Sequence, residues 1–276
     1  MSNKHLHLHL KERRRMKLKT LTTAMILATV PMTGAFAAAL DRSGQSISAF
    51  LQPGNYFEAG ISVLDPNVSG KMNSTAPAAL ANTSLDDMAG DYYFPHAAIK
   101  LQPTKNFSFG LIYDQPFGAD AKYSTSDATL PVPGAPGAFQ LMGETTEVEV
   151  KSQSISMIFG YQPTENFNFY AGPVYQTIKG DVQLRGLAYG GNATFGGYNA
   201  SIKETGDIGW LAGAAFQIPD IALKASVTYR SEIEHSVNVK ESFNSAGLLA
   251  GLNAAPSLNT DITTPQSVNL DFQTGI

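Results

Sequence analysis

An antiparallel up-and-down transmembrane β-barrel is the all-β fold class that the sequence predicts, and three observations predict it. Apolar and polar residues alternate with period two over runs of about ten residues, as in strands with one oily and one hydrated face. A turn sequence recurs, as QPTKN at 102–106 and as QPTEN at 162–166. The connections between the runs alternate between tight turns and loops of about twenty residues.

The first 37 residues have the composition of a secretory leader. They contain seven of the 19 Lys and Arg residues, one of the 23 acidic residues, and then an apolar run too short to span a bilayer. We expect cleavage after Ala37, because Ala35-Phe36-Ala37 supplies the small residues that a signal peptidase requires. Met16 is the more natural start, so residues 1–15 read as an upstream extension, and their three histidines predict no metal site.

Composition narrows the remaining classes of protein. Without residues 1–37 the chain has 12 basic and 22 acidic side chains, a formal charge of 12 − 22 = −10, which disfavours a nucleic-acid partner. The chain contains no cysteine, so burial and hydrogen bonding must hold an exported fold together. No nucleophile elbow, zinc-protease helix or phosphate-binding loop occurs, so we expect neither an enzyme nor a bound cofactor.

The alternation predicts eight strands in chain order. They are 57–68, 91–101, 107–121, 145–161, 166–184, 206–217, 220–240 and 265–276. The strand from 220 shows the pattern most clearly, with Leu223, Ala225 and Val227 on one face and Lys224 and Ser226 on the other. A soluble sandwich also alternates, so the connections must decide between the two folds.

The connections favour the barrel. The links 102–106, 162–165 and 218–219 are tight turns, whereas those near 69–90, 122–144, 185–205 and 241–264 are long. Short periplasmic turns and long outer loops are typical of outer-membrane barrels. Aromatic residues lie where two interfacial girdles are expected, near the turns (Phe57, Phe107, Tyr161, Phe167, Phe216) and toward the loops (Tyr93, Tyr113, Trp210, Tyr229).

Four stretches carry a resemblance to a known family. They are ISVLDPNVSG (61–70), FPHAAIKLQPTKNFSFGLIYDQPFG (94–118), FNFYAGPVYQTIKGDVQLRG (167–186) and WLAGAAFQIPDIALKASVTYRSEIEHSV (210–237). The chain resembles the FadL-type outer-membrane transporters of long-chain fatty acids over roughly residues 55–276. The most specific piece is TYRSEI at 228–233.

The resemblance implies a fourteen-stranded barrel that is plugged by an N-terminal hatch and releases hydrophobic molecules sideways through its wall. The chain departs from that pattern twice. Only about twenty residues separate the predicted cleavage from the first strand, and they lack the Asn-Pro-Ala motif of the family hatch. In addition, only eight strands are predicted, which suggests a truncated copy, although barrels of eight strands can close. We therefore divide the chain into a leader (1–37), a reduced hatch (38–56) and a partial barrel (57–276).

A transporter of amphipathic acids needs a cation for the carboxylate. The alternation turns Lys100, Lys224 and Arg230 inward, which makes them candidates for head-group binding. Pairing with acids on comparable faces, namely Asp114, Glu232 and Glu234, is the alternative for these cations. The resemblance adds Arg185, which falls near the place where the family has a basic residue for the carboxylate.

Two further features are candidates for handling the apolar part of a ligand. Long loops carry apolar residues that could capture it or could pack on one another: Leu130, Val132, Phe139, Leu141 and Met142 in one loop, and Leu248, Leu249 and Leu252 in another. Pro116 and Gly118 should bend the third strand, where the resemblance implies a lateral gate; a rim bulge is the alternative.

We therefore predict passive uptake of long-chain fatty acids or other hydrophobic compounds across the outer membrane. The alternatives are a general porin for small polar solutes, or an outer-membrane enzyme or adhesin. As partners we expect hydrophobic small molecules, outer-membrane lipid and lipopolysaccharide, with a monomeric barrel.

Overall fold

The computed structural model describes residues 41–74, 78–127, 129–130, 135–191, 195, 197–243 and 257–274. The predicted leader, Val132, Leu248, Leu249 and Leu252 lie outside these residues. The strands are β1 (Tyr56–Leu64), β2 (Gly70–Lys71), β3 (Ser84–Leu85), β4 (Tyr92–Leu101), β5 (Phe107–Asp114), β6 (Gly118–Lys122), β7 (Gln140–Leu141), β8 (Glu144–Thr145), β9 (Glu147–Tyr161), β10 (Phe167–Arg185), β11 (Gly197–Ile218), β12 (Leu223–Arg230), β13 (Ile233–Phe243), β14 (Leu258–Thr264) and β15 (Ser267–Gln273). Two short 3-10 helices, Leu187–Tyr189 and Pro219–Ile221, accompany them, and no helix in the described ranges is long and apolar enough to cross a membrane.

One antiparallel sheet of 11 strands contains the eight predicted strands. Its order is β1-β4-β5-β9-β10-β11-β12-β15, with β6 on β9, β13 on β11 and β14 on β13. Two predicted strands are each split into two segments (β5 and β6, β12 and β13), and β14 directly precedes the predicted strand that contains β15, so 11 − 3 = 8 strands remain. Within the described ranges β1 pairs only with β4, and β15 only with β12, so the sheet does not close on itself.

The two faces of this sheet have the polarity of a membrane barrel, and the predicted fold class is confirmed. Large apolar side chains are exposed along the outer face, among them Ile155, Met157, Phe159, Phe169, Tyr175, Ile208, Val227, Leu270 and Phe272. Polar side chains are buried along the inner face, among them Ser152, Ser154, Ser156, Asn168, Gln176, Ser226 and Thr228. A water-soluble sheet would bury the first set and expose the second.

The aromatic residues predicted to form girdles pack against one another across neighbouring strands. On the turn side, the ring centroids of Phe107 and Tyr161 lie 5.3 Å apart, and those of Phe167 and Phe216 lie 5.2 Å apart. On the loop side, Trp210 and Tyr229 are 5.1 Å apart. Cross-strand aromatic pairs of this kind stabilise a sheet and suit the two interfaces of a bilayer.

The repeated turn sequence joins each tight turn to the next. Asn106 Nδ2 donates to the main-chain oxygen of Gln162 over 2.8 Å, and the amide of Gln162 donates back to the oxygen of Asn106 over 2.7 Å. Asn166 and Gln217 repeat this reciprocal pair at 2.9 and 2.8 Å. The recurrence of Asn in the turns therefore has a second reason, beyond its suitability for the turn backbone: its side chain connects adjacent hairpins along the rim.

Residues 41–55, called here the inner segment, lie against the inner face of the sheet. The amide of Phe50 donates to the oxygen of Ile47 over 3.0 Å, and that of Leu51 to Ser48 over 3.1 Å, which makes the segment turn. Ile47 and Phe50 are each 1% exposed and Leu51 is 4% exposed. They form one apolar cluster with inward residues of the wall, including Ala98, Ile112, Ile158, Tyr170, Leu211 and Ala215.

Two strands differ from their predicted limits. β11 begins at Gly197, nine residues before the predicted start at 206, and the last strand begins at Leu258 instead of 265. Pro265 lies between β14 and β15 and splits that strand. A proline cannot donate to a neighbouring strand, so the ladder breaks there.

Candidate functional site

Three inward cations bind the inner segment. Lys100 Nζ donates to the main-chain oxygen of Gln52 over 2.5 Å. Lys224 Nζ donates to the oxygen of Leu51 over 2.7 Å, and Arg230 Nη2 to the oxygen of Gln45 over 3.1 Å. The predicted inward orientation of all three is therefore correct, and their donors contact main-chain carbonyl groups.

These bonds also show how strongly the sheet curls. β4 and β12 are separated by β5, β9, β10 and β11. In a flat sheet five steps of about 4.8 Å would place them about 24 Å apart. Lys100 and Lys224 nevertheless bind the oxygens of consecutive residues, so strands far apart in the sheet face each other across the inner segment. Their role in binding a ligand's head group stays a prediction.

Arg185 lies away from the inner segment, at the outer end of β10, and is 2% exposed. Its Nε lies 2.6 Å from Glu144 Oε2, and its Nη1 donates to the main-chain oxygens of Leu184 and Tyr198 over 2.9 and 3.0 Å. Its Nη2 donates to Asn199 Oδ1 over 2.8 Å. The guanidinium thus connects β8, β10 and β11, and a role in binding carboxylate ligands stays a prediction.

The apolar loop residues separate into two groups. Phe139 stacks on Tyr123 with ring centroids 4.0 Å apart, in a cluster built on Leu80, Leu85 and Ala138 that Leu130 also contacts. Met142 is 87% exposed, and Leu141 belongs to the short strand β7. Loop packing therefore accounts for Leu130 and Phe139, while Met142 presents an apolar side chain at the surface.

Pro116 lies at a break in the third strand. Asp114 pairs with Ser154 and Gly118 with Lys151, so three residues (115–117) face two residues (152–153). Ser152 fills the break, because its hydroxyl accepts from the amide of Phe117 and donates to the oxygen of the same residue, each over 2.8 Å. The break is thus a one-residue bulge, as the alternative interpretation predicts, and a lateral gate at Pro116 and Gly118 stays a prediction.

The other side of the bulged strand is open to its neighbour β4. Ladder pairing between β4 and β5 stops at Ala97 and Tyr113 and resumes only near Ala89 and Ala121. No ladder pair joins the stretches 91–96 and 114–119, both of which the structure describes. We call this interruption between β4 and the third strand the wall gap; within it, Phe117 pairs with Asp41 of the inner segment in an isolated bridge. Tyr92 bridges its outer end, because its hydroxyl contacts the main-chain oxygen and amide of Asp120 over 3.1 and 3.0 Å.

Arg42, which the sequence pattern does not single out, lies at the wall gap. Its guanidinium carbon is 3.7 Å from the centroid of the Tyr92 ring, and its amide donates to the oxygen of Pro116 over 2.8 Å. A Cβ atom on Gly118 would fall on the guanidinium. Gly118 therefore matters here for the space it leaves beside Arg42.

No protein-family model matches the chain, and no curated protein matches it significantly. Among solved structures, a FadL homologue from Pseudomonas aeruginosa matches with a TM-score of 0.50 and 14% identity, over 79% of this chain and 55% of that one. The deltaS2S3 mutant of the monoaromatic hydrocarbon channel TodX matches with a TM-score of 0.51 and 12% identity, over 84% of this chain and 60% of that one. The chain thus spans less than two thirds of either structure, and over that part it has the fold of the FadL-type transmembrane β-barrels.

Proposed function

We propose that the chain forms the wall of a passive outer-membrane channel for hydrophobic small molecules, which leave sideways through the wall gap. The observation that carries the proposal is the gap itself, since a continuous ladder would seal the wall at 91–96 and 114–119. Apolar residues on the outer face, such as Tyr93 at 62% exposure beside the gap, would meet a departing ligand with a lipid-like surface. No energy input or catalysis is required, because the ligand moves by binding and diffusion.

The ligand classes come from the resemblance and from the matched structures. The FadL-type resemblance suggests long-chain fatty acids, and one matched structure is described as a monoaromatic hydrocarbon channel. Both ligand classes are apolar molecules that partition into lipid. The predicted leader supports export to the outer membrane. Insertion there is supported by the sheet, which exposes apolar side chains on its outer face and buries polar ones on its inner face.

A water-filled porin is less well supported. The inner segment buries Ile47, Phe50 and Leu51 against the inner face, in the space that a water column would need. Polar solutes would gain little from a wall gap that opens toward lipid. Planar-bilayer conductance that lipophilic ligands do not block would favour the porin.

Replacing Phe94 and Pro116 by cysteine tests the channel directly. The pairs Ala97–Tyr113 and Ala89–Ala121 leave six residues (91–96) facing six of the third strand (114–119), with Phe94 opposite Pro116, so a disulfide between these positions should hold the gap closed. In a bacterial strain without its own fatty-acid uptake protein, the unaltered chain should support uptake of labelled palmitate and toluene. The oxidised double variant (Phe94→Cys with Pro116→Cys) should lose that uptake, and reduction of the disulfide should restore it.

Phe94→Cys alone is the matched control, because a single cysteine in a chain without other cysteines cannot close the gap. Uptake should survive this change under oxidising conditions. Uptake that persists in the double variant after the disulfide has formed, or that never exceeds the empty-vector level in the unaltered chain, would contradict the proposal.

A further inference from the structure

The guanidinium of Arg42 has a buried donor edge that no hydrogen bond satisfies. It stacks on Tyr92, and Gly118 lies beside it, at the unpaired stretch between β4 and β6. Its Nε and Nη2 atoms are buried and have no hydrogen-bond partner. These two nitrogens form one edge of the planar guanidinium, with parallel N–H groups that match the two oxygens of a carboxylate.

The surrounding protein does not satisfy that edge. The carboxylates of Asp120 and Glu149 act on the charge of Arg42 from nearby, but neither forms an ion pair with it within 4.0 Å. Glu149 is instead paired with Lys151. Buried N–H groups normally find an acceptor, so a ligand with paired oxygens is the partner that this edge lacks.

We propose that Arg42 binds the carboxylate of an amphipathic ligand at the wall gap, so that long-chain carboxylic acids are preferred over neutral hydrocarbons. This inference rests on the proposed channel function and specifies its ligand class. The bidentate bond forms between the carboxylate and Nε and Nη2, while the ring of Tyr92 holds the other face of the guanidinium.

The carboxylates near Arg42 should keep small anions from binding there. Asp120 and Glu149 place two negative charges near the single positive charge of Arg42, so a free anion gains little from approaching. A long-chain acid differs because its tail contributes apolar burial against the wall, for example on the exposed ring of Tyr93. Acetate and inorganic phosphate should therefore fail to compete with palmitate.

The test compares palmitate with its methyl ester, using the full chain in neutral detergent micelles. The ester keeps the tail and loses the charge. Arg42→Met should weaken palmitate binding about tenfold and leave methyl palmitate within about twofold, since one charge-assisted contact is lost. Arg42→Lys should recover only part of the loss, because an ammonium group lacks the bidentate edge.

Gly118→Ala gives a second trial that keeps the positive charge. The three atoms nearest to a Cβ there belong to the flexible end of Arg42, so the protein should fold while the guanidinium shifts and the preference for palmitate falls. Lys105→Met is the matched control, because it removes one positive charge from an exposed turn far along the strand from the gap and should change nothing.

The outcomes separate the two proposals. Equal losses of palmitate and ester in Arg42→Met, or no loss of either, would overturn the role of Arg42 while the channel stands. An unaltered chain that binds the ester as tightly as palmitate would do the same. An unaltered chain that binds neither would remove the channel proposal itself. If Arg42→Met does not fold, Gly118→Ala decides.

Discussion

Replacing Phe50 by alanine should release the inner segment from the wall. The Phe50 ring is 1% exposed, meets Tyr170 edge to face at 5.8 Å, and lies where a Cβ on Gly110 or Gly160 would fall. Truncating a buried Phe to Ala typically costs about 3–5 kcal/mol. The ratio of docked to released segment should therefore fall by about two to four powers of ten.

The lysine bonds should matter less than this ring. Lys100→Met removes one charge-assisted hydrogen bond, to Gln52, worth about 1.5–3 kcal/mol. It also removes a 3% exposed ammonium group, whose desolvation opposes folding, so the net loss is smaller than the bond alone. The segment should thus be held mainly by Ile47, Phe50 and Leu51.

A spin label measures the release. The chain contains no cysteine, so Ser46→Cys, at an exposed position in the inner segment, offers a single labelling site. Phe50→Ala should give a mobile spectral component that is weak or missing in Lys100→Met. Ile99→Ala, which shortens a 40% exposed side chain on the outer face, is the control and should leave the label immobile. A label equally immobile in Phe50→Ala would refute this account of how the segment is held.

Three further predictions concern the rim, the lipid-facing surface and the loops. Asn106→Ala removes the side-chain bond to the next turn and should cost about 1 kcal/mol of folding free energy, which lowers the unfolding midpoint in urea. Lys105→Ala, in the same exposed turn, should leave the midpoint unchanged. Equal shifts in the two variants would argue against the rim connection. Met157→Arg, in the middle of the outer apolar run of β9, should cost about 2–4 kcal/mol of folding free energy in liposomes. Gln153→Arg, closer to the outer loops on the same face, should cost about 0–1 kcal/mol. Equal costs would contradict the assigned membrane belt. Arg185→Ala removes the guanidinium donors from the main-chain oxygens of Leu184 and Tyr198 and the ion pair with Glu144, so proteolysis of residues 135–146 should become faster. Weaker palmitate binding with unchanged proteolysis would instead support a role in head-group binding.

The sequence predicts the wall best where the bilayer constrains it. Every outward residue in the belt must be apolar, while the inner face tolerates polar groups, and this gives β9 and β12 a clear period of two. The outer half of β11 lacks that constraint. There polar Asn199 and Ser201 lie on the outward face with Asp181 and Gln183 of β10, while Tyr198 and Ala200 are buried on the inner face. The polarity of the two faces is thus the reverse of that in the belt, and the membrane pattern does not mark this part of the strand.

The inner segment shows a different limit of prediction. Residues 41–55 form turns and have no periodic pattern, so the sequence does not reveal that Ile47 and Phe50 are among the least exposed residues of the fold. The resemblance predicts a reduced hatch in this region, and its function as a hatch stays a prediction. Arg42 is one cation in that irregular stretch, and its amide bond to Pro116 and the neighbouring Asp41–Phe117 bridge hold it at the wall gap.

The partners of the inward cations explain why orientation alone does not identify a head-group site. The alternation correctly turns Lys100 and Lys224 inward, but it cannot predict that carbonyl oxygens of Gln52 and Leu51 are bound there. A carboxylate arriving at either lysine must first displace a bond of 2.5 or 2.7 Å. At Arg42 the Nε and Nη2 donors are unbonded, so binding there breaks no existing contact. The free energy of binding a carboxylate is therefore more favourable at the guanidinium of Arg42 than at either lysine, although all three groups carry the same charge.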